Sequence, residues 1–263
     1  MNCPKCKKQI DDDSQFCEYC GAKIEKSKRG LWITLAVIAL IAIVGGSVYM
    51  HEAQQESLRI ETKGSANGHE WVDLGLPSGT KWATTNVGAT TPEGYGNYYA
   101  WGETTTKFTY SSSTYKWCRG SDDTMTKYCT SSSYGIVDNK TTLDLSDDAA
   151  YVNWGSSWRM PTKAEQDELR NTNYTTWTWT TQNGVKCYKV TSKSNGNSIF
   201  LPAAGYRFDS SLYDAGSNGR YWSSSLDTYY SDVAYYLLFY SSYVGSYYSN
   251  YRKFGQSVRP VLR

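Results

Sequence analysis

The sequence predicts an α+β protein in which a β-rich domain with one or two short helices follows a transmembrane helix and a small metal-binding segment. Four of the seven cysteines lie in the first 20 residues, residues 31–50 contain no charge, and 22 of the 24 tyrosines lie beyond position 90. The 263 residues have a formal net charge of +2, so no overall field favours nucleic acid. We therefore expect two different kinds of domain, joined by a membrane-spanning segment.

The N-terminal segment 1–24 contains two Cys-x-x-Cys pairs separated by ten residues. Four thiolates from two tight turns make a closed tetrahedral site that binds structural zinc and excludes metal catalysis. A redox pair or disulfides are the alternatives, although a reducing cytosol disfavours disulfides. The segment resembles the zinc ribbons at the N-termini of bacterial membrane proteins, and a cytoplasmic protein partner is expected rather than nucleic acid. The predicted ligands of one zinc ion are Cys3, Cys6, Cys17 and Cys20.

Residues 31–50 are 20 uncharged residues, about the length that crosses a bilayer core as a helix. Lys23 and the basic linker 25–30 precede this span, whereas acidic residues outnumber basic ones in the polar stalk 51–68. Positive charge stays in the cytoplasm. We therefore predict a single-pass cell-membrane protein with an uncleaved signal anchor, a cytoplasmic N-terminus and an extracytoplasmic domain at 69–263. A signal peptide or a buried core helix is the alternative.

Local patterns in the domain predict strands, turns and helices. Alternating runs at 186–192 and 198–201 indicate strands, with turns at 183–184 and 195–196. Thr162 and Glu165 form a capping box at the start of a helix that is predicted to continue to Arg170. A second helix is expected at about 146–151. The core is expected to contain the dispersed tryptophans Trp82, Trp101, Trp154, Trp158 and Trp222, rather than to leave them as a sugar-binding platform.

Six ordered motifs extend this interpretation to a family resemblance. They are EWVDLGLPSGTKWATTNVGA at 70–89, YYAWGE at 98–103, WRMPTKAEQDEL at 158–169, FLPAAGYR at 200–207, YWSSS at 221–225 and SVRPV at 257–261. The motifs resemble the Fibrobacter succinogenes major paralogous domain, which is common on the surface of Bacteroidetes. The resemblance implies a C-type-lectin-like fold of the formylglycine-generating-enzyme kind. It does not extend to that enzyme's chemistry, which needs a cysteine pair near the end of the domain, because no cysteine follows Cys187.

The last two motifs bracket residues 227–252, a run of 26 residues with nine tyrosines and five serines. This composition is typical of antibody binding loops, in which Tyr gives rigid contact area and Ser gives adaptable hydrogen bonds. The run lacks Lys, Glu, Gln, Trp and Met, the five residue types that an NNY codon does not encode. It therefore resembles the variable proteins of diversity-generating retroelements, in which a reverse transcriptase misreads template adenines.

A variable binding face is accordingly predicted at 220–254, where fixed packing residues alternate with exposed ones. The alternative is a pair of tyrosine-rich edge strands whose rings pack locally. The residues expected to be buried are Val233, Ala234, Leu237, Phe239 and Val244. The residues expected to contact an extracytoplasmic ligand, predicted to be a protein, are Tyr221, Asp227, Tyr229, Tyr230, Asp232, Tyr235, Tyr236, Tyr240, Ser242, Tyr243, Tyr247, Tyr248, Asn250, Tyr251 and Arg252.

Several other residues are candidates for sites. Cys118 and Cys129 lie in the predicted extracytoplasmic domain, where they either form a disulfide or stay free. Cys187 is expected to be a buried thiol. His69 and the acidic pairs 122–123 and 147–148 are expected to be solvated; calcium stays open, although no lectin-type calcium motif is present. The leading hypothesis is a membrane-anchored binding protein without enzymatic activity, and the alternatives are an envelope-associated structural protein and an oxidase-like enzyme.

Overall fold

The computed structural model describes residues 1–25, 42, 45–50 and 62–263. The chain divides into two compact units, Met1–Leu58 and Arg59–Arg263. Most of the predicted transmembrane segment 31–50, the linker after residue 25 and the stalk up to residue 61 lie outside the described residues, while Ala42 and residues 45–50 are helical. Within the described residues, no helix is both long enough and apolar enough to span a bilayer.

The first unit is built from two similar knuckles, each a tight turn around one Cys-x-x-Cys pair. An isolated β-bridge closes each knuckle. The same buried positions recur after 14 residues, from Cys3 to Cys17 and from Ile10 to Ile24. Because so short a segment has almost no apolar core, these four side chains and the metal site between them hold the knuckles together.

The second unit is β-rich, and its α+β character confirms the predicted fold class at that level. Its strands are β1 (Lys63–Ala66), β2 (His69–Asp73), β3 (Lys81–Ala83), β4 (Trp158–Arg159), β5 (Thr175–Gln182), β6 (Val185–Ser192), β7 (Ser198–Pro202), β8 (Tyr206–Phe208), β9 (Ser211–Tyr213), β10 (Asn218–Leu226), β11 (Val233–Tyr240), β12 (Tyr243–Tyr251) and β13 (Val261–Leu262). Its helices are α1 (Ala149–Trp154) and α2 (Lys163–Leu169), with 3-10 turns at Ser112–Thr114 and Leu145–Asp147.

These strands form several separate sheets. The largest has the order β1-β2-β3-β13-β4, so the last strand of the chain inserts into the sheet that contains the first. Sheets β5-β6-β7 and β10-β11-β12 each consist of three consecutive antiparallel strands, and β8 pairs with β9. Most of the tyrosine-rich run therefore lies in one sheet, with β11 at its centre and β12 at its edge.

The local turn and cap signals in the sequence are confirmed. Asn183 and Gly184 connect β5 to β6 with φ values of 47° and 82°, the left-handed pair that a type I′ hairpin turn requires. Helix α2 begins after Thr162, whose hydroxyl accepts from Glu165 N while the Glu165 carboxylate accepts from Thr162 N. The five tryptophans predicted for the core and Cys187 are all buried.

Some predictions fail because tertiary contacts decide them. The ring of His69 stacks on Trp154 with centroids 3.7 Å apart, so this histidine is half-buried and not solvated. Asp147 and Asp148 are buried as well. The Tyr128 hydroxyl donates to Asp147 at 2.7 Å, and Asp148 caps α1 by accepting from two backbone amides.

Two element boundaries also differ from the prediction. Strand β1 lies inside the predicted stalk 51–68, because residues without aromatic side chains still pair with β2 along four positions from Lys63 to Ala66. Helix α1 covers Ala149–Trp154, three residues later than expected, because its N-cap is Asp148 and residues 145–147 form a 3-10 turn.

The sheet β10-β11-β12 is packed on both faces. One face, with Trp222, Ala234 and Tyr236, belongs to one aromatic core cluster, and the other, with Leu237 and Phe239, belongs to a second. Side chains of this sheet are therefore exposed mainly at the β12 edge, at the β11–β12 turn and in the loop that leads into β11.

Candidate functional site

The four predicted zinc ligands converge in the first unit. Their Sγ atoms all lie within 4.8 Å of one another, with 3.7 Å between Cys3 and Cys20 and 3.5 Å between Cys6 and Cys17. Zn–S bonds of about 2.3 Å at tetrahedral angles place sulfurs about 3.8 Å apart. The donor set and its spacing therefore fit one zinc ion. In the described parts of the chain, no other group of three or more Cys, His, Asp or Glu side chains is close enough to hold a metal.

Backbone geometry prepares each knuckle for the metal. Lys7 N donates to Cys3 O at 2.9 Å, and Gly21 N donates to Cys17 O at 2.8 Å. Lys7 and Gly21 adopt left-handed φ values of 62° and 66°, which glycine accepts without strain. A backbone hydrogen bond from Cys6 lowers the pKa of the Cys3 thiol to about 6. This shift favours the thiolate, the form that binds metal.

The predicted face 220–254 is organised by the β11–β12 hairpin. Tyr240 lies opposite Tyr243 across a two-residue turn, Tyr236 lies opposite Tyr248, and Val233 lies opposite Tyr251. The register shifts between the Tyr236 and Leu238 pairs, which places an extra residue on β12. Such a bulge changes which side chains of the edge strand face outward.

The hairpin-tip cluster consists of Tyr240, Tyr243, Tyr247 and Tyr248. The rings of Tyr240 and Tyr243 stack with centroids 5.3 Å apart, and those of Tyr247 and Tyr248 are 4.5 Å apart. The Tyr243 hydroxyl donates to Tyr247, whose pKa is lowered by its hydrogen bonds to Tyr243 and Tyr248. Tyr247 is 55% exposed, and Ser242 in the turn is exposed too. The cluster therefore presents both aromatic area and hydroxyl groups.

The hairpin-base patch lies at the other end of the strands and consists of Tyr229, Tyr230, Tyr251 and Tyr134. Tyr229 is 80% exposed, and Tyr230 and Tyr251 are exposed as well. The Tyr230 ring meets Tyr134 edge-on, with centroids 6.5 Å apart. The Asp227 carboxylate accepts from Tyr229 N at 2.9 Å and from Tyr230 N at 3.3 Å. Asp227 is buried beneath the loop that it holds, so the prediction that it contacts a ligand is wrong.

Two predicted contact tyrosines are inside the protein, which corrects the prediction for both. Tyr221 is buried, and its hydroxyl donates to Pro202 O at 2.6 Å. Tyr236 is only 6% exposed, and its ring packs edge-on against Trp222 at 6.1 Å; burial raises the pKa of Tyr236. Each lies near the middle of its strand, in a sheet that is covered on both faces.

Arg252 is the fourth correction, after Asp227, Tyr221 and Tyr236, because its side chain is fully buried. Its guanidinium donates to Ser231 O at 2.8 Å, to Tyr128 O at 3.1 Å, to Lys127 O at 3.0 Å and to the Tyr115 hydroxyl at 2.9 Å. Arg252 therefore joins the end of β12 to two other segments of the domain. It is not placed to meet a ligand.

The remaining predicted residues divide between the surface and half-buried positions. Of the residues expected to be buried, Ala234, Leu237 and Phe239 are so, whereas Val233 and Val244 are half-buried. The predicted contact residues that are half-buried are Asp232, Tyr235, Tyr243 and Asn250.

Cys118 and Cys129 do not form the disulfide that the sequence left open, since both thiols are free. Cys118 Sγ lies 3.0 Å from Ser112 O, and Cys129 Sγ lies 3.1 Å from Ser131 O. Each thiol thus has its own carbonyl acceptor. Cys129 also packs in a small buried cluster with Tyr115 and Met125.

Sequence reasoning missed an aromatic shelf on the β8–β9 hairpin, formed by Tyr206, Phe208, Tyr213 and Phe254. The Tyr206 and Tyr213 rings stack at 5.6 Å, and Phe208 meets Phe254 at 4.8 Å. The Arg220 guanidinium lies 3.8 Å from the Tyr206 ring centroid and 6.0 Å from that of Tyr236. It thereby connects the shelf to the sheet. The signal in the sequence is the alternation of aromatic residues at 206 and 208, of which only Tyr206 lies within the motif at 200–207.

Comparisons with known proteins reach two parts of the chain. Residues 179–261 match a domain of unknown function (DUF8237), a range that contains β10, β11 and β12. No curated protein and no solved structure shows a significant match. Residues 2–24 match a zinc-ribbon domain. Together with the geometry of its four sulfurs, this match identifies the N-terminal segment as a zinc ribbon able to hold one zinc ion.

Proposed function

We propose that the protein is a membrane-anchored, receptor-like display protein that binds an extracytoplasmic ligand through the exposed tyrosines of the β11–β12 hairpin. One observation carries this proposal: large aromatic side chains are exposed at both ends of a hairpin whose central residues are buried. Tyr229 is 80% exposed at the base and Tyr247 is 55% exposed at the tip. A packed framework thus presents exposed aromatic side chains to solvent. The proposal includes no enzymatic activity.

The physical support for binding is the cost of such a surface. Contiguous exposed aromatic groups invite association with other molecules, and a protein without a partner gains nothing from them. Tyrosine also loses little conformational entropy on binding, since two χ angles fix its ring. The ligand class that fits best is a protein, because a protein surface offers both apolar and hydrogen-bonding groups, and tyrosine and serine together can contact both kinds.

The proposal includes variability of this surface. Residues 227–252 contain only residue types that NNY codons encode, which supports an origin in a diversity-generating retroelement. The proposed scaffold is a C-type-lectin-like domain of the Fibrobacter succinogenes major paralogous type, as found in Bacteroidetes. The insertion of β13 between β3 and β4 supports it, because the end of the domain then closes on its beginning.

The sequences of this gene in closely related strains test the proposal. Codons for exposed residues, such as Tyr229, Tyr230 and Tyr247, should vary, whereas codons for the buried Ala234 and Phe239 should stay constant, because only the latter maintain the fold. An Asn-rich template copy beside a reverse transcriptase gene should accompany the variation. An invariant run without a template, or variation that ignores burial, would contradict the proposal.

The proposed location is the cell membrane, with the zinc ribbon in the cytoplasm and the second unit outside. The charge difference across residues 31–50 supports this orientation. The zinc ribbon is proposed to contact a cytoplasmic protein, since Phe16 and Tyr19 are exposed on it and its lysines are offset by Asp11, Asp12 and Asp13.

Protease treatment of intact spheroplasts should remove the second unit and leave a protected fragment that contains the first 30 residues. Detection with antibodies against each end of the chain distinguishes the fragments, and treatment after detergent lysis is the control in which both ends are digested. Protection of the second unit with loss of the zinc ribbon would reverse the proposed orientation. Protection of neither end before lysis would argue against a membrane anchor.

A second candidate, a structural envelope-associated protein without a dedicated ligand, is favoured by one observation. In the hairpin-tip cluster the rings of Tyr243, Tyr247 and Tyr248 pack on one another, and their hydroxyls are hydrogen-bonded together. Local packing alone could maintain these residues. It does not account for Tyr229, whose side chain is 80% exposed at the opposite end of the hairpin.

A further inference from the structure

The edge of β12 presents main-chain hydrogen-bonding groups as well as tyrosine side chains. Arg252 N donates to Asp232 O at 3.0 Å across the pair of strands. In an antiparallel ladder, successive residues direct their N–H and C=O groups alternately toward and away from the partner strand. Ser249 and Tyr251 therefore point these groups away from β11. Consistent with this phase, Tyr251 N is bonded at 2.9 Å to the side-chain Oδ1 of its neighbour Asn250.

From Tyr248 to Tyr251, the edge of β12 lacks the features with which proteins protect edge strands. The nine residues of β12, YVGSYYSNY, contain no charged residue and no proline. Natural edges are usually protected by lysine, proline or a covering element, because an open row of backbone groups recruits other strands. The β12 bulge lies before Tyr248, so it leaves the part from Tyr248 to Tyr251 regular. Every residue from Tyr247 to Tyr251 is exposed or half-buried.

We propose that an extended segment of a partner polypeptide pairs with β12 along Tyr248–Tyr251 and adds a fourth strand to the sheet β10-β11-β12. The inference rests on the proposed binding function and specifies its ligand as a peptide backbone. Only a polypeptide supplies alternating donors and acceptors at the two-residue spacing of this edge. A glycan has no such repeat.

The tyrosines around the edge would then select the side chains of the added strand. Successive side chains of a strand face opposite sides of the sheet. On one side the partner meets Tyr248, which lies opposite Tyr236. On the other side it meets Ser249 and Tyr251, the second of which belongs to the hairpin-base patch. Main-chain pairing gives an affinity that does not depend on sequence, and the changeable tyrosines give the specificity.

The test uses the full chain in detergent and a displayed library of random peptides of nine residues, the length of β12. With a selected peptide bound, hydrogen exchange at the Ser249 amide should slow. The Tyr251 amide should slow too, because it exchanges its bond to the neighbouring Asn250 side chain for a bond in the extended ladder. The Arg252 amide, which already donates to Asp232 O between the two strands, should change little. Ser249→Pro removes an outward N–H and should weaken peptide binding about tenfold, whereas Ser249→Ala, its matched control, removes only the hydroxyl and should not.

Each outcome decides between this inference and the proposed function. Suppose that Tyr247→Ser abolishes peptide binding, while peptide bound to the unmodified chain leaves exchange of the Ser249 and Tyr251 amides unchanged. The tyrosine surface then binds the peptide, but strand addition is wrong. If peptides bind and neither Tyr247→Ser nor Ser249→Pro weakens their binding, both proposals fail. A library that yields no binding peptide also overturns strand addition. If sedimentation shows a dimer of the unmodified chain and Ser249→Pro abolishes that dimer, the added strand comes from a second copy of this chain. That result would overturn the proposal of a different partner polypeptide. If Ser249→Pro unfolds, exchange in the unmodified chain decides alone.

Discussion

Replacing Cys17 with serine will leave the full chain unable to hold zinc, and its first 25 residues will lose their structure. Cys17 is buried in the ribbon, and its Sγ lies 3.5 Å from that of Cys6. Serine is a poor zinc ligand, and three remaining thiolates leave the shell open. Binding of structural zinc to such small domains contributes about 10–16 kcal/mol of apparent folding free energy. The four residues buried together among residues 1–25, two of which are the ligands Cys3 and Cys17, cannot replace that contribution.

Metal analysis of the purified chain measures this prediction, with about one zinc per unmodified chain and almost none in Cys17→Ser. Cys118→Ser is the matched control, because Cys118 is a free thiol bonded to Ser112 O and lies in the second unit. Hydrogen exchange should rise only in residues 1–25 of Cys17→Ser, and a chelator should reproduce that rise in the unmodified chain. Full zinc occupancy in Cys17→Ser would contradict the assignment of the ligands.

The zinc site could be predicted from the sequence because all its ligands lie within 20 residues and their spacing alone fixes the geometry. The capping box of α2 and the turn at Asn183 and Gly184 are equally local, since their hydrogen bonds and dihedral angles are decided by neighbouring residues. The 14-residue repeat of the two knuckles was also present in the sequence. In it, Ile10 and Ile24 recur at the same spacing as Cys3 and Cys17.

The exposure of individual tyrosines could not be predicted in the same way. Alternation assigns one face of a strand to solvent only when one face is free, and β11 is covered on both, so Tyr236 is buried as well as Leu237. On β12 the bulge puts the adjacent Tyr247 and Tyr248 both on the surface, which no strict alternation allows. The aromatic shelf on β8 and β9 depends on pairing with distant residues such as Phe254.

These corrections sharpen the proposed binding surface. The buried tyrosines and Asp227 belong to the support of the surface, whereas Tyr229, Tyr230 and Tyr247 are available to a ligand. The tyrosine-rich run therefore contains two groups of residues, supporting and ligand-contacting, which are distinguished by their burial and not by their residue type. The same distinction predicts which variants lose folding and which lose binding.

Arg252→Ala will destabilise the second unit instead of weakening a ligand contact. The side chain is fully buried, and its partners are the carbonyl oxygens of Lys127, Tyr128 and Ser231 and the hydroxyl of Tyr115. Alanine leaves these buried acceptors without a donor, at about 1–3 kcal/mol for each unsatisfied group, and opens a cavity beside Trp101. We expect the free energy of unfolding to fall by about 3 kcal/mol or more.

Urea denaturation followed by tryptophan fluorescence measures this loss, because Trp101 lies 4.9 Å from the guanidinium. Arg252→Lys should recover only part of the stability, since one ammonium group cannot reach acceptors on both sides of a planar guanidinium. Arg119→Ala, at an exposed arginine, is the matched control and should unfold as the unmodified chain does. If Arg252→Ala keeps its full stability and loses peptide binding, Arg252 belongs to the ligand surface after all, because a residue that only supports the fold cannot be removed without lowering the free energy of unfolding.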